Sequence, residues 1–563
     1  MSGSAPNEEG LRALGSTIDE HTSRRRARHA RRDGEQPPGR RKRRWVKRTA
    51  LITLAVVVVL VAAGAGYAWY LNHKIHRVAV AGLIPGSTSG KDANTENILM
   101  VGSTTRCGLK KQTPAYGLCT QGVTGVNGDV IMILHLVPAT RSVSILSLPR
   151  DLFIPNARST GAYKIDAALA QGPTQLVNAI EEDFAIPIQH YVELNFDSFA
   201  SVVTQLGGVT MTFPDEVFDR YSGLRVLSTG CHHLNGVQAL QVVRARHLQY
   251  WVSGYPKTYP YTWPQEPESD LARITRDHEF LRVLAAKMAK HGLGNPLSDI
   301  SLVDALAPQL TVDNGFNASD MAHLVLTFHS VNVNDAPETT LPVMVDTFGT
   351  YTYKGGAFGD VEFPSNPVDH STVDTFLGLT TGDNTMTGKP LPAAGTVTVS
   401  VLDGTGVPGQ ATQTAAALKK LGFDTVGTGS TTPVGQYAET TVSYSKRTPA
   451  DIAAAQLVAD SLSGAVILDY GPTADGAQVT VTTGTDFSVD STLPGKSAPK
   501  PPPKATVPKG TPTTNVTYGA TAVAAKKGSP TSGFTAAFPA ITPLTSYDPR
   551  ACPPGVKGNP GNW

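Results

Sequence analysis

Apolar and polar positions are most tightly organised between Asn127 and Asp151, where two apolar runs, 130–137 and 142–149, flank Pro138-Ala139-Thr140-Arg141. Short runs rich in Val and Ile, split by so brief a connection, predict an antiparallel β-hairpin. Residue 137 then faces 142 and residue 129 faces 150, which puts Asp129 beside Arg150 and Asp151 at the open end. An acid next to an Arg-Asp pair at the mouth of a buried sheet suits a metal ion and a phosphate. A plain surface salt bridge between Arg150 and Asp151 fits the spacing equally well.

Around this hairpin, from 78 to about 378, the pattern alternates. Strands are predicted at 97–101, 191–195, 209–213 and 340–345, and helices at 174–184, 198–206, 236–244, 270–290 and 319–329. Alternation of this kind predicts an α/β fold, a sheet covered by helices on both faces, and the hairpin makes that sheet mixed. After a linker at 379–394, residues 395–488 predict a separate small α/β domain. Its strands lie at 397–402, 423–426, 440–444, 465–468 and 478–482, and its helices at 411–421 and 449–462. The turn 403–409 (DGTGVPG) lacks the spacing of a nucleotide-binding loop and reads as a tight turn. Residues 489–563, rich in Pro, Lys and Thr, predict an extended tail with no core of its own.

The other end of the chain is patterned differently. Residues 50–71 carry no charge, and at about 1.5 Å rise per residue they reach roughly 33 Å as a helix, enough to cross a bilayer. Tyr67, Trp69 and Tyr70 gather at the far end, and a basic arm, 1–49, with SRRRARHARR and RRKRRWVKR, precedes the near end. The positive-inside rule predicts a single-pass type II topology with the bulk of the chain outside. The near-neutral overall charge of +2 therefore hides a polarised chain. A basic run can attract nucleic acid, but next to a membrane span a topological role explains it more simply.

An outside location permits disulfides. Of four cysteines, Cys107 and Cys119 bracket a Gly- and Pro-containing loop and are predicted to bridge. Cys231 and Cys552 then remain. Their pairing would tie the tail to the core, and two free thiols are an equal reading.

Two further stretches carry candidate chemistry. In GCHHLNGVQALQVVRAR (230–246), Asn235 is placed to cap a helix. Arg244 and Arg246 lie about 200° apart on a regular helix, so both reach one ligand only if the helix ends at Arg244. Two guanidinium forks converging on one place suit a diphosphate, while two solvated arginines are the plain alternative. In SDLARITRDHEFL (269–281), Asp270, Arg273 and Asp277 share one helix face, which alone is an ordinary intrahelical ion pair. The loop 250–264, dense in aromatics and prolines, suits sugar stacking, lipid docking or simple rigid packing. His135 reads as a core residue, adjacent His232 and His233 point apart, and no serine sits in a GxSxG setting.

Taken in order, NILMVG (97–102), GDVIMILHL, SLPRD, KIDAALAQG (164–172), LGGV (206–209), LNGVQALQVVRAR and the Asp-x-x-Arg-x-x-Arg helix at 270 resemble the LytR-CpsA-Psr family. Residues 395–488, with VLDGTGVPG, LGF and TGTDF, resemble the LytR C-terminal domain. The resemblance implies a membrane-anchored phosphotransferase that moves a glycopolymer from a polyprenyl-pyrophosphate carrier to peptidoglycan, with the prenyl chain in an apolar tunnel between sheet and helices. It implies that Arg150, Arg244, Arg246 and Arg273 bind the pyrophosphate, with Asp277 near it. Asp270 would orient Arg273, and Asp129 would bind Mg²⁺. Two positions depart from the family pattern: Thr104 stands where an Asp is usual, and Asp277 where a Gln is usual. The competing readings are hydrolysis of the carrier and a lipid- or polymer-binding scaffold. A transcriptional regulator is disfavoured because the basic arm contains no helix-turn-helix pattern, and no nucleic-acid partner is expected.

Overall fold

In this computed structural model the described residues are 64, 66–67, 69–86, 94–105, 107, 119–121, 124–267, 269–292, 306–328, 331, 336–346, 351–431, 437–494, 534–536 and 543–560. The predicted span 50–71 falls largely outside them, and among the described residues no helix is long and apolar enough to cross a membrane. Everything below concerns the unit from Leu71 to Trp563.

The hairpin forms with the expected register. Gly128–Val137 pairs antiparallel with Ser142–Leu148, Val137 opposite Ser142 and Ile131 opposite Leu148. It is central to a seven-stranded mixed sheet, ordered His76–Val78, Thr311–Asp313, His190–Asn195, Glu96–Ser103, Gly128–Val137, Ser142–Leu148 and Glu338–Thr340. Strand alternation gives the sheet two different faces. Leu99, Val101, Ile131 and Ile133 point into a core with helix α1 (Pro173–Phe184), through Leu176, Val177 and Ile180. Met100, Val130 and Met132 face the other way, towards helices α2 (Phe196–Gln205), α3 (Gly236–Val243) and α4 (Ser269–Gly292), and leave a cavity between. His135 is buried on Asn97, 2.7 Å from Nδ1 to Oδ1, as a core histidine.

Three expectations change. The strand expected at 340–345 is two strands in two sheets, Glu338–Thr340 in the central sheet and Val343–Asp346 in the next, because the chain breaks at Leu341-Pro342. The segment 395–488 has its own core, around Val399, Val401, Leu418, Val442 and Val466, yet its sheet does not stop at the expected linker. That sheet has nine strands among the described residues. Its path runs from Asp424–Ser430 through Thr398–Asp403, Val479–Thr483, Thr440–Tyr444 and Leu462–Tyr470 to Glu362–Asn366, Val343–Asp346 and Phe534–Ala536. The crossing is made where Ser365 and Asn366 pair with Ala465 and Gly464.

The third change concerns the tail. A coreless extension was expected to the end of the chain, but Phe534–Ala536 joins the second sheet, and Arg550–Ala551 and Asn559–Pro560 flank Val209–Phe213 and Gly230–Leu234 in a separate four-stranded sheet. Tyr547 and Asp548 are buried there. Low apolar content rules out an independent core, but docking onto an existing one needs only a few anchors. Both cysteine pairs are bridged, Cys107 to Cys119 and Cys231 to Cys552, with Cα atoms 5.2 and 5.8 Å apart.

Candidate active site

The hairpin's open end sets the first part of the site. The Arg150 guanidinium is ion-paired with Asp129 and lies 3.7 Å from Asp151 and 3.4 Å from Asp166. Burial works against its charge, but these carboxylates hold its pKa above the ordinary value. Asp151 is buried as well, yet Arg150, Lys164 and Arg246 keep its carboxyl below the usual range. Lys164 reaches it at 2.8 Å and Arg246 at 2.8 Å. Asp166 goes the other way: burial, only partly offset by Arg150, raises it to about 6.

Helix α3 brings the second part. The Asn235 side chain accepts from Gln238 N, and the Gln238 side chain accepts from Asn235 N, a reciprocal cap that fixes where the helix starts. It stops at Val243 with Arg244 as C-cap, so the condition for Arg244 and Arg246 to share a ligand is met. Arg244 lies over the Phe196 ring at 4.5 Å, and Arg246 Nε reaches Asp270 at 3.0 Å.

Helix α4 supplies the third. Arg273 is buried, 3.1 Å from Asp270 and 3.5 Å from Asp277, and it donates to the Asp129 carbonyl at 2.7 Å. It is therefore positioned rather than free. Asp277 is fully buried, its oxygens have no hydrogen-bond partner, and burial, partly offset by Arg273, raises its pKa to about 7.

Arg150, Arg244, Arg246 and Arg273 all line one cavity of about 340 Å³, together with Asp129 and Asp277. Its interior is apolar, with Met100, Met132, Phe199, Leu240 and Phe280 among its walls, and Tyr221 and His247 also line it. Asp270 and Asp151 hold the arginines from behind. The structure thus gathers every sequence-predicted site residue except the Cys107–Cys119 bridge around one opening.

The donor set for Mg²⁺ is thinner than expected. Asp129 is engaged by Arg150, and the Thr104 hydroxyl accepts from Asn127 N at 2.9 Å and donates to Gly125 O at 3.1 Å, closing its own loop. Among the described residues no group of three or more metal-ligating side chains occurs. Asp129 alone would not hold Mg²⁺, which takes one or two carboxylates together with substrate phosphates and water, and no step below is routed through the metal.

Several contributors escaped the sequence reading. Lys164 and Asp166 stand two apart in KIDA, a spacing that shares one side of an extended chain but names no partner; the 3-10 turn Ile165–Gln171 sets Asp166 within 3.4 Å of Arg150. Arg276 enters the sequence reading only as the last residue of the Asp-x-x-Arg-x-x-Arg pattern, with no role attached, and the buried Glu266 and Glu362 have no local signature. Glu362 donates its N–H to the Asp151 carbonyl at 3.0 Å, and burial, reinforced by Asp270 and Asp151, pushes its carboxyl well up.

Residues 72–358 match the LytR-cpsA-psr family. The chain belongs to that family. Residues 396–487 match a second family, described as LytR cell envelope-related transcriptional attenuator. Among similar LytR-cpsA-psr proteins, the probable cell wall biosynthesis protein LcpB of Corynebacterium glutamicum is 31% identical over 276 residues, 48% of this chain and 60% of LcpB. The cell wall biosynthesis protein LcpA of the same organism is 25% identical over 77% of this chain and 86% of its own length. The polyisoprenyl-teichoic acid–peptidoglycan teichoic acid transferase TagU of Bacillus subtilis is 27% identical over 49% of this chain and 82% of TagU.

Proposed function

We propose that this protein is an extracytoplasmic phosphotransferase that moves a glycopolymer from a polyprenyl-diphosphate carrier to peptidoglycan. One observation carries the reading: four arginines from three distant segments ring the mouth of an apolar cavity. The ring suits a diphosphate and the cavity a prenyl chain, and the similar TagU is a polyisoprenyl-teichoic acid–peptidoglycan teichoic acid transferase.

The residues divide the work as phosphoryl transfer requires, through position and charge rather than covalent help. Arg150 and Arg273, braced by Asp129 and Asp270, neutralise the bridging diphosphate, and Arg244 and Arg246 close over it from the end of α3. The sugar hydroxyl attacks the phosphorus that carries the glycopolymer. A P–O bond forms to the acceptor, the P–O–P bridge breaks, polyprenyl phosphate leaves, and the hydroxyl proton is released. The charge-free segment 50–71 and the basic arm before it support an outward-facing, membrane-tethered placement, where both carrier and wall are within reach.

The test is binding and turnover with a polyprenyl diphosphate bearing a labelled sugar. The full chain is expected to bind it and, with peptidoglycan fragments present, to form a labelled phosphodiester. Absence of binding would overturn the reading. Release of phosphate without transfer would replace it with hydrolysis, and binding without either would replace it with a carrier-binding scaffold.

A further inference from the structure

The C-terminal residues 545–552 lie beyond both matched stretches, yet they reach the underside of the arginine site. Arg276, beside Arg273 and Phe280 on α4 but outside the cavity lining, is buried with Glu266 and Asp548, all three at 2% exposure or less. Its guanidinium contacts Glu266 at 2.5 and 2.8 Å and Asp548 at 3.0 Å. It also donates to the carbonyl of Ala245, the residue between Arg244 and Arg246. Glu266 in turn is tied to Leu248: its N–H donates to the Leu248 carbonyl at 2.9 Å, and its carboxylate accepts from Leu248 N at 3.4 Å. α3 ends at Val243 with Arg244 as C-cap, and past the Ala245 N–H, which donates to the Val242 carbonyl at 3.2 Å, helical hydrogen bonding no longer sets the path. The Arg276 anchor and the bond from His247 N to Asp219 at 2.9 Å do so instead.

Asp548 is itself held firmly. Its other carboxylate oxygen accepts from Thr545 N and Oγ1 at 2.9 and 2.8 Å. Tyr547 stacks on Tyr250 with centroids 4.0 Å apart. Ala551 N donates to Glu279 of α4 at 2.8 Å, Arg550–Ala551 pairs with Val209–Phe213, and Cys552 is bridged to Cys231. A charge-assisted contact in so dry a setting is strongly directional.

We propose that this strap is a positioning element of the diphosphate site: Asp548 fixes Arg276, and Arg276 fixes the turn that presents Arg244 and Arg246. What those arginines bind rests on the function proposed above, whereas the link from strap to turn does not.

The experiment uses the full chain in oxidised form, with Asp548→Asn and, separately, the pair Cys231→Ser and Cys552→Ser, which unlatches the strap without changing its charge. Two readouts are taken: amide hydrogen exchange over 244–248, and affinity for a polyprenyl diphosphate against the matching uncharged polyprenol. Exchange over 244–248 is expected to rise about tenfold or more while α1 stays protected. Diphosphate affinity is expected to fall at least about fivefold with polyprenol affinity unchanged, a split that general loosening of the fold would not produce. Unchanged exchange in both variants overturns the inference, as does faster exchange with unchanged diphosphate affinity. If Asp548→Asn exchanges rapidly everywhere, the serine pair decides. If the wild type binds no diphosphate, the proposed function falls and the exchange result still decides the strap.

Discussion

At Asp277 burial and charge pull in opposite directions. Desolvation disfavours the carboxylate, Arg273 and Arg276 favour it, Asp270 and Asp129 oppose it again, and the result is a group that titrates at about 7. Below that pH the side chain is neutral and leaves the arginines undiminished; above it, a negative charge faces the diphosphate. Affinity for a prenyl diphosphate is therefore expected to fall as pH rises from about 6 to about 8. Asp277→Asn should flatten that fall, and comparing the two proteins by titration calorimetry across the range removes the ligand's own ionisation. Arg273→Ala, which leaves Asp270 and Asp277 buried without their cation, should weaken binding by about 2–5 kcal/mol where the fold survives. At this scale the sequence revealed side chains that the structure gathers at one cavity, since Asp129, Arg150 and the Asp270-Arg273-Asp277 face follow from register and helical spacing. It left Arg276 without a role and hid Glu266 and Asp548, because a buried ion cluster closed by a distant segment leaves no periodic trace.

Helix α3 shows how an element's ends matter more than its length. Its reciprocal cap at Asn235 fixes the start, and stopping at Val243 turns two residues that a regular helix would splay into neighbours at one opening. Asn235→Ala should cost about 1 kcal/mol, read from the denaturant midpoint. Val243 lines the cavity from the same helix, so Val243→Trp should narrow the apolar channel while sparing the arginines. Binding of a long polyprenyl diphosphate is expected to drop about tenfold or more, with a short one such as geranyl diphosphate little affected, as competition binding would show. Element types and most boundaries were legible because each carries a clean period of two or 3.6. The break at Leu341-Pro342 was not: the apolar run continues across it while the strand changes sheets.

Across the whole molecule, the two matched stretches meet through acids. Asp183 accepts from Asn156 at 2.6 Å, Asn156 also lies 3.4 Å from Asp469, and the Tyr444 hydroxyl donates to the Glu182 carbonyl at 3.0 Å. Burial raises the carboxyl of Glu182 to about 7, despite Arg447, and pushes those of Asp183 and Glu439 well up. A carboxyl whose folded pKa exceeds its unfolded value of about 4 stabilises the fold fully below that value and loses the contribution as pH rises towards the folded pKa. Thermal midpoints should accordingly decline between about pH 5 and pH 8, and Glu439→Gln should make the profile shallower. The sequence concealed this contact because a Gly- and Pro-rich stretch at 379–394 looks like a spacer, whereas pairing between distant strands is invisible in local composition.

The nine-stranded sheet has a practical consequence. A chain ended near residue 378 would strip Leu462–Tyr470 from Glu362–Asn366, leaving the backbone groups of Ser365 and Asn366 without their partners and baring Phe363 and Val361 beside them. An open, greasy rim of that kind recruits other copies of itself. The shortened protein should elute from a sizing column as large, polydisperse aggregates, whereas the full chain should not.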